Sequence, residues 1–526
     1  MSRRTQERER VARRTLSLAT RVTPGDRAPR PAEEEFGVLT SPSATTAERP
    51  EEAPTNPGEV SDGARSAELM GGESPFGQGR IQLTIGLMLT IVAVGFQALA
   101  VATILPAVVD DLGGLSLYGW AFSAFLLTQL VGIVVSGLLA DQRGPALRFA
   151  LGVLFFTVGL IIGGLAPSMP VLIAARALQG FGGGAIFSTA YVAIGRGYPS
   201  SAKPRMLALL STGWVVPGLI GPAIAGLMAE ALGWRSGFLV LAPLLVLAGL
   251  LAYPSMRPIP AGSPSPNAKS RLLSAITLSV GAGLILATIG IGNLLVAVLL
   301  LVAGLALAIP SMGKLLPAGT LRAAPGMPAA VATMGLLNLA FFGVDAFVPL
   351  AFVDVRGASV AFAGLALTAG TIAWSSGSWI QARTSARVSR RTMERIGLSF
   401  LALGVVLTAA VLSPQAPLAL GPIAWGSAGL GMGLSYITLN LTMLELAPPG
   451  QEGNASSSMQ LTSVLGSALG AGIGGALIAL TQSRGESISR GLLLHDGLMF
   501  AAIVLAFVAA RGLPGKPGPS SVAAGS

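Results

Sequence analysis

From residue 81 onward the sequence is a succession of apolar stretches, each close to the roughly 20 residues a helix needs to cross about 30 Å of hydrocarbon. No water reaches backbone N–H and C=O groups in that layer, so segments of this length are expected to satisfy them internally as α-helices. Fourteen such spans fit between the first, at 82–108, and the last, at 491–511. The stretch from Arg271 to Pro310 is interrupted only by IGIGN at 289–293. It reads as two short helices with a tight turn at Gly292–Asn293, one broken or re-entrant helix being the alternative. The expected fold class is an all-α polytopic membrane protein with 14 transmembrane helices.

Charge supports this reading once it is divided by position. Residues 1–80 hold 12 Arg against 13 acidic residues, whereas the other 446 hold 22 basic and 11 acidic residues, placed in short connections. Basic residues spread over many loops do not form the single soluble basic face that a nucleic acid needs. Residues 1–80, rich in Arg, Glu, Pro, Ser and Thr and without sustained apolar periodicity, read as a disordered cytoplasmic tail. No apolar core follows their arginines before residue 81, so they are not expected to act as a secretory signal. Without cysteine, and with one histidine, the chain offers no disulfide, thiolate or His-based metal site, and no metal or cofactor is expected. No G-x-x-x-x-G-K-[ST] segment is present, so ATP is not expected as the energy source.

Lys and Arg in short loops keep those loops on the cytoplasmic side. With the N-terminus inside, 17 basic residues after residue 80 fall inside, among them Arg143, Arg148, Arg196, Lys203 and the run from Arg383 to Arg395. Only four, Arg235, Arg356, Arg484 and Arg490, fall outside. Both termini are thus expected in the cytoplasm. Thirty arginines against four lysines, with abundant Ala and Gly, point to a G+C-rich bacterial genome and so to a bacterial plasma (inner) membrane.

The chain also resembles itself. A shift of 249 residues places Gly180, Gly182 and Gly184 of the fourth span on Gly429, Gly431 and Gly433 of the twelfth. The same shift places Gly221 and Gly226 of the fifth span on Gly470 and Gly475 of the thirteenth. One offset over two consecutive spans indicates a six-helix repeat. The expected domains are the tail (1–80), an N-terminal repeat (81–256), a linker with two extra transmembrane helices (257–327), a C-terminal repeat (328–511) and a short tail (512–526).

Four segments stand out. GLLADQRGPALRF, between the second and third spans, holds Gly137, Asp141, Arg143 and Gly144. Asp141 at a helix end is placed to pair with Arg143 or with a neighbouring helix N-terminus. RALQGFGGG puts Arg176 inside the fourth span, where a guanidinium costs at least about 2.5 kcal/mol and must find a partner or water, unless it snorkels to an interface. PGLIGPAIAG in the fifth span, with Pro217, Gly218, Gly221, Pro222 and Gly226, combines a lost helix hydrogen bond with glycines that admit a close neighbour. The first span carries FQALAVATILP. Together these segments resemble the major facilitator superfamily, and more closely its fourteen-helix drug:proton antiporter branch. The resemblance implies a gating role for the Gly137–Gly144 loop, a part in proton transfer for Arg176, and export rather than import for PGLIGPAIAG. Gln97 departs from the branch, standing nine positions before Pro106 where an acidic residue is usual.

A carrier coupled to protons therefore needs another titratable group. Asp110, Asp111, Asp354 and Glu486 are expected in outer loops, and Asp141, Glu394 and Glu452 in inner ones. Glu230 and Glu445 close their helices, and Asp496 lies about one turn inside the last span within reach of water. Asp345, within FFGVDAFVPL of the ninth span, is the leading coupling candidate. In general a carboxyl group away from water holds its proton, and an approaching cation displaces it. A structural carboxylate hydrogen-bonded between helices is the competing reading. Gln97, Gln129, Trp374, Asn440 and Gln460 are weaker candidates to line the substrate cavity.

These features describe a secondary active transporter exporting amphipathic or cationic small molecules in exchange for protons, not an enzyme. Its partners are the small-molecule substrate, protons and the lipid bilayer. A nutrient symporter or facilitator and a transporter-like membrane sensor are the alternatives. Deletion of residues 1–75 separates the sensor from the others: transport by the truncated protein is expected to match the full chain, and its loss would favour the sensor.

Overall fold

The computed structural model describes residues 75–77, 80–199, 202–262, 268–289, 291, 293–385, 387–447 and 452–515. The expected tail up to residue 74, the turn residue Gly292 and Lys516 lie outside the described residues. Among these residues there is no strand, and fourteen long helices follow one another. They are α1 (Ile81–Leu112), α2 (Tyr118–Arg143), α3 (Ala146–Gly164), α4 (Met169–Gly197), α5 (Lys203–Leu232), α6 (Leu241–Met256) and α7 (Ala268–Thr288). The remainder are α8 (Leu294–Leu315), α9 (Met327–Asp345), α10 (Val360–Thr384), α11 (Arg390–Val411), α12 (Leu420–Leu446), α13 (Glu452–Ser483) and α14 (Ile488–Ala509).

Twelve of these rods are long and apolar enough to cross a membrane. The other two, α5 and α12, are 30 and 27 residues long. Polar residues of α12 such as Ser435, Thr438, Asn440 and Thr442 dilute its apolar character. Fourteen crossings are compatible with these lengths. The stretch from Arg271 to Pro310 is two helices, and Asn293 caps the second by accepting the Val296 N–H at 3.2 Å.

Three acidic positions differ from the sequence reading. Glu394 lies inside α11 and is fully buried, because Ser389 starts that helix by accepting the Thr392 N–H at 3.1 Å, before the apolar run begins. Asp354 is on a π-helical turn, Ala351–Val355, that continues α9 beyond a short Val348–Leu350 segment. Asp496 does not reach water: it is buried, with His495 Nδ1 3.4 Å from its carboxylate.

Glycines decide how closely these rods pack. A side chain at Gly180 would overlap the Phe125 carbonyl of α2, one at Gly182 the backbone of Gly152 and Phe156 on α3, and one at Gly184 the backbone of Gln129 and Ile133. Gly429, Gly431 and Gly433 meet Gly370, then Gly397 and Leu401, then Trp374 and Ser378 in the same way. The partners correspond at one constant offset, Phe125 to Gly370, Gly152 to Gly397, Phe156 to Leu401, Gln129 to Trp374 and Ile133 to Ser378. The self-similarity seen in sequence is therefore reproduced contact for contact between helices. Pairs α2–α4, α3–α4, α1–α5, α1–α6 and α3–α6 recur eight helices later as α10–α12, α11–α12, α9–α13, α9–α14 and α11–α14. The two groups meet along two seams, α2 with α13 and α5 with α10.

The α7–α8 hairpin stands outside this pattern. Its helices approach through Gly281 and Gly304, and a Thr277–Ser311 hydroxyl contact of 2.7 Å ties them. The Ser279 hydroxyl donates to the Leu127 carbonyl of α2 at 3.0 Å, anchoring α7 beside the first seam. α8 leaves most of its leucines and valines exposed, as a surface facing lipid would.

Overpacking a close helix contact costs about 1–3 kcal/mol. Gly180→Leu and Gly429→Leu are therefore each expected to lower the thermal midpoint of the detergent-purified protein. Gly497→Leu, where nothing lies within 4 Å of an added carbon, should leave it unchanged. Equal midpoints for all three would contradict the packing argument.

Candidate functional site

Asp345 ends the first stretch of α9 because Pro349 has no N–H to give its carbonyl, so the helix is interrupted at Ala346–Phe347. The half-buried side chain points toward α12, where the indole Nε1 of Trp425 donates to Oδ1 at 3.0 Å. Trp425 is only 1% exposed and stacks on Phe341, with ring centroids 5.1 Å apart. Phe341 meets the edge of Trp374 at 5.5 Å, Phe342 approaches the same ring at 6.1 Å, and Trp374 approaches Tyr436 at 5.7 Å. One carboxylate thus adjoins a continuous group of five aromatic rings from α9, α10 and α12. Such a combination attracts a cation with an apolar body, since ring faces and carboxylate both favour positive charge.

Arg176 occupies the position in α4 that Trp425 occupies in α12 under the repeat shift. It does not snorkel: it is 2% exposed, its Nε donates to the Ala121 carbonyl of α2 at 3.0 Å, and one terminal nitrogen donates to Gln179 at 2.6 Å. The guanidinium also lies 4.2 Å from the centre of the Phe125 ring. All of these partners are neutral, and they fix the group's orientation in a way a lysine would not.

The expected Gly137–Gly144 loop is instead the last turns of α2 and its cap Gly144; there the partner of Asp141 is Arg196 at the end of α4, 2.5 Å away, rather than Arg143, which is exposed. Its carbonyl accepts the Gly262 N–H beyond α6 at 2.8 Å. Gly144 has φ +80°, a conformation that favours glycine, and an added side chain at Gly137 would press on Ser188 of α4. In α5, Gly218 faces Thr371, Pro222 lies against Gly364 and Gly226 against Val360–Ala361, all on α10, while Gly221 faces Phe96 of α1. The PGLIGPAIAG segment thus forms the α5 side of the second seam.

The weaker candidates scatter. Trp374 belongs to the aromatic group, and Asn440, one turn beyond Tyr436, donates to its carbonyl at 2.7 Å. Gln129 takes on α2 the place of Trp374 on α10, as their matched contacts with Gly184 and Gly433 show. Gln97 is fully buried, and neither side-chain polar atom has a hydrogen-bond partner among the described residues. Gln460 is exposed on α13. The sequence reading missed Trp425, Phe341, Phe342 and Tyr436. Trp425 was signalled by its alignment with Arg176 under the repeat shift; the others carried no mark beyond lying near Asp345 or on a glycine-rich helix.

Comparison with known proteins agrees with this architecture. A family model described as Major Facilitator Superfamily matches residues 86–471. A relative from Mycobacterium tuberculosis, described as a probable multidrug-efflux transporter, is 28% identical over 424 residues, covering 77% of this chain and 89% of its own. The methylenomycin A resistance protein of Streptomyces coelicolor is 26% identical over 447 residues, covering 81% and 92%. Among solved structures, a bacterial homologue of the human lysosomal transporter Spinster, inward-facing and occupied, matches with a TM-score of 0.57 at 15% identity, covering 84% of this chain and 97% of that one. A peptide transporter of the POT family matches with 0.60 at 15% identity, covering 82% and 96%. With the repeated six-helix packing and a family match over most of its length, the chain belongs to the major facilitator superfamily of multi-pass membrane transporters.

Proposed function

We propose that the protein exports amphipathic or cationic small molecules in exchange for protons. The reading rests above all on Asp345, a half-buried carboxylate held by Trp425 against five aromatic rings. A proton and an organic cation compete for such a group, and that competition is the physical basis of exchange. The relatives' descriptions, multidrug efflux and methylenomycin A resistance, support export. Arg176, fixed by neutral partners in the matching place of the other repeat, assists proton transfer by its uncompensated charge.

Two repeats, residues 81–256 and 328–511, rock about this site, with 257–327 as the linker that carries the two extra helices. The α5–α10 seam is tight from Gly218 to Gly226, and beside it toward Arg383 the surface is open. There a groove of about 430 Å³ is lined by Leu219, Ile372, Ser375, Ser376, Trp379 and Arg383, among others. The distribution of basic residues over the loops supports both termini lying in the cytoplasm of a bacterial cell, with the protein in its plasma membrane.

Transport in inverted membrane vesicles, with cationic and neutral compounds and with or without a pH gradient, tests the proposal. Uptake of cationic compounds is expected to need the gradient and to stop when it is collapsed; transport indifferent to it would favour a facilitator. Asp345→Asn should abolish gradient-driven uptake while the amount of protein in the membrane stays at the wild-type level. Unchanged uptake by that variant would remove Asp345 from the mechanism.

A further inference from the structure

Three consecutive residues at the α9 interruption make contacts with four other helices. Asp345 accepts from Trp425 on α12. The Ala346 carbonyl accepts from the Tyr118 hydroxyl, 3.2 Å away at the start of α2. The Phe347 ring stacks on Tyr118 with centroids 5.2 Å apart, meets His495 of α14 at the same distance, and fills the space over Gly474 of α13. Residues 346, 347, 350 and 351 pack into the hydrophobic core formed mainly by α1–α6, while 341, 344, 348 and 352 pack into the other. This short segment therefore straddles both halves.

Tyr118 sits where the α2–α13 seam is closed. Gly119 beside it packs backbone to backbone on Gly475, and the Ser123 hydroxyl one turn on donates to the Ala468 carbonyl at 2.8 Å. At the same end the second seam is held by Glu230, whose carboxylate accepts the Ala361 N–H at 2.8 Å in the first turn of α10. Tyr118 differs from these contacts in one respect: its bond goes to the residue next to Asp345.

We infer that Tyr118 is the positioning residue through which the state of Asp345 reaches the seam between the two halves. The inference rests on the reading of Asp345 as the coupling group. An interrupted helix with freed carbonyls has more than one hydrogen-bonding arrangement, and a packed element with discrete arrangements carries coupling between sites. When a proton or cation changes the charge at Asp345, the Trp425 bond and the turn at 345–347 rearrange together. The Ala346 carbonyl then leaves the Tyr118 hydroxyl, and the α2–α13 seam loses this direct bond to the coupling site. Tyr118→Phe removes the hydroxyl and keeps the ring stack, so the fold survives while the link is cut.

The chain has no cysteine, so labels attach only where cysteines are introduced. Ser116→Cys and Gln482→Cys, both exposed and flanking the α2–α13 seam, carry spin labels whose separation is read by double electron–electron resonance on the full chain in nanodiscs. Asp345→Asn is expected to shift the distance distribution when Tyr118 is present and to leave it unshifted in a Tyr118→Phe background. Transport by Tyr118→Phe should keep the wild-type KM with a several-fold lower turnover. An equal Asp345→Asn shift in both backgrounds overturns the inference and spares the reading of Asp345. Absence of any shift from Asp345→Asn also overturns the inference; if that variant transports normally as well, the reading of Asp345 falls with it.

Discussion

The close approach of helix backbones along glycine lines is the constraint on which the rest of the structure depends. In hydrocarbon, side chains gain little by leaving lipid for protein, so association relies on van der Waals contact and on hydrogen bonds between helices. Gly180, Gly182 and Gly184 let α4 lie against α2 and α3 at backbone distance, and Gly429, Gly431 and Gly433 do the same for α12 against α10 and α11. Longer side chains there would separate the rods and with them Arg176 from the Ala121 carbonyl and Trp425 from Asp345. The site's hydrogen bonds exist because these helices touch.

Buried charge is handled differently in the two halves. The first half commits Arg176 to a carbonyl, an amide and a ring face, which fixes its orientation without cancelling its charge. The second half holds Asp345 by a single indole N–H among aromatic rings, at a point where α9 is interrupted. A group with one neutral partner exchanges it more readily than one held by several. Two pairs nearer the helix ends, Asp141–Arg196 and Arg390–Glu445, each 2.5 Å apart, join neighbouring helices.

Much of the fold was legible because membrane insertion writes itself into sequence as length and apolar content. The helical class, nearly all of the rods and the self-similarity of the two halves could be read directly. Asp345 and Arg176 could be singled out because ionisable groups are costly in apolar spans. Glu394 could not, because apolar content marks where a helix enters hydrocarbon rather than where its first turn is capped; Ser389 starts α11 earlier. Asp141 was recognised, but its partner Arg196 lies far along the chain at the end of α4, and local spacing suggested Arg143 instead.

The sequence by itself determined that the chain folds as an apolar helical bundle with matching halves, since a one-dimensional pattern of hydrophobic length and glycine spacing suffices for that. Tertiary structure alone decided which rings surround Asp345, that Trp425 holds it, and that Tyr118 of the other half bonds to the next residue. Those contacts join residues 80 and 228 positions apart in the chain. Their geometry is set by crossing helices, and helix crossing leaves no periodic mark on either segment.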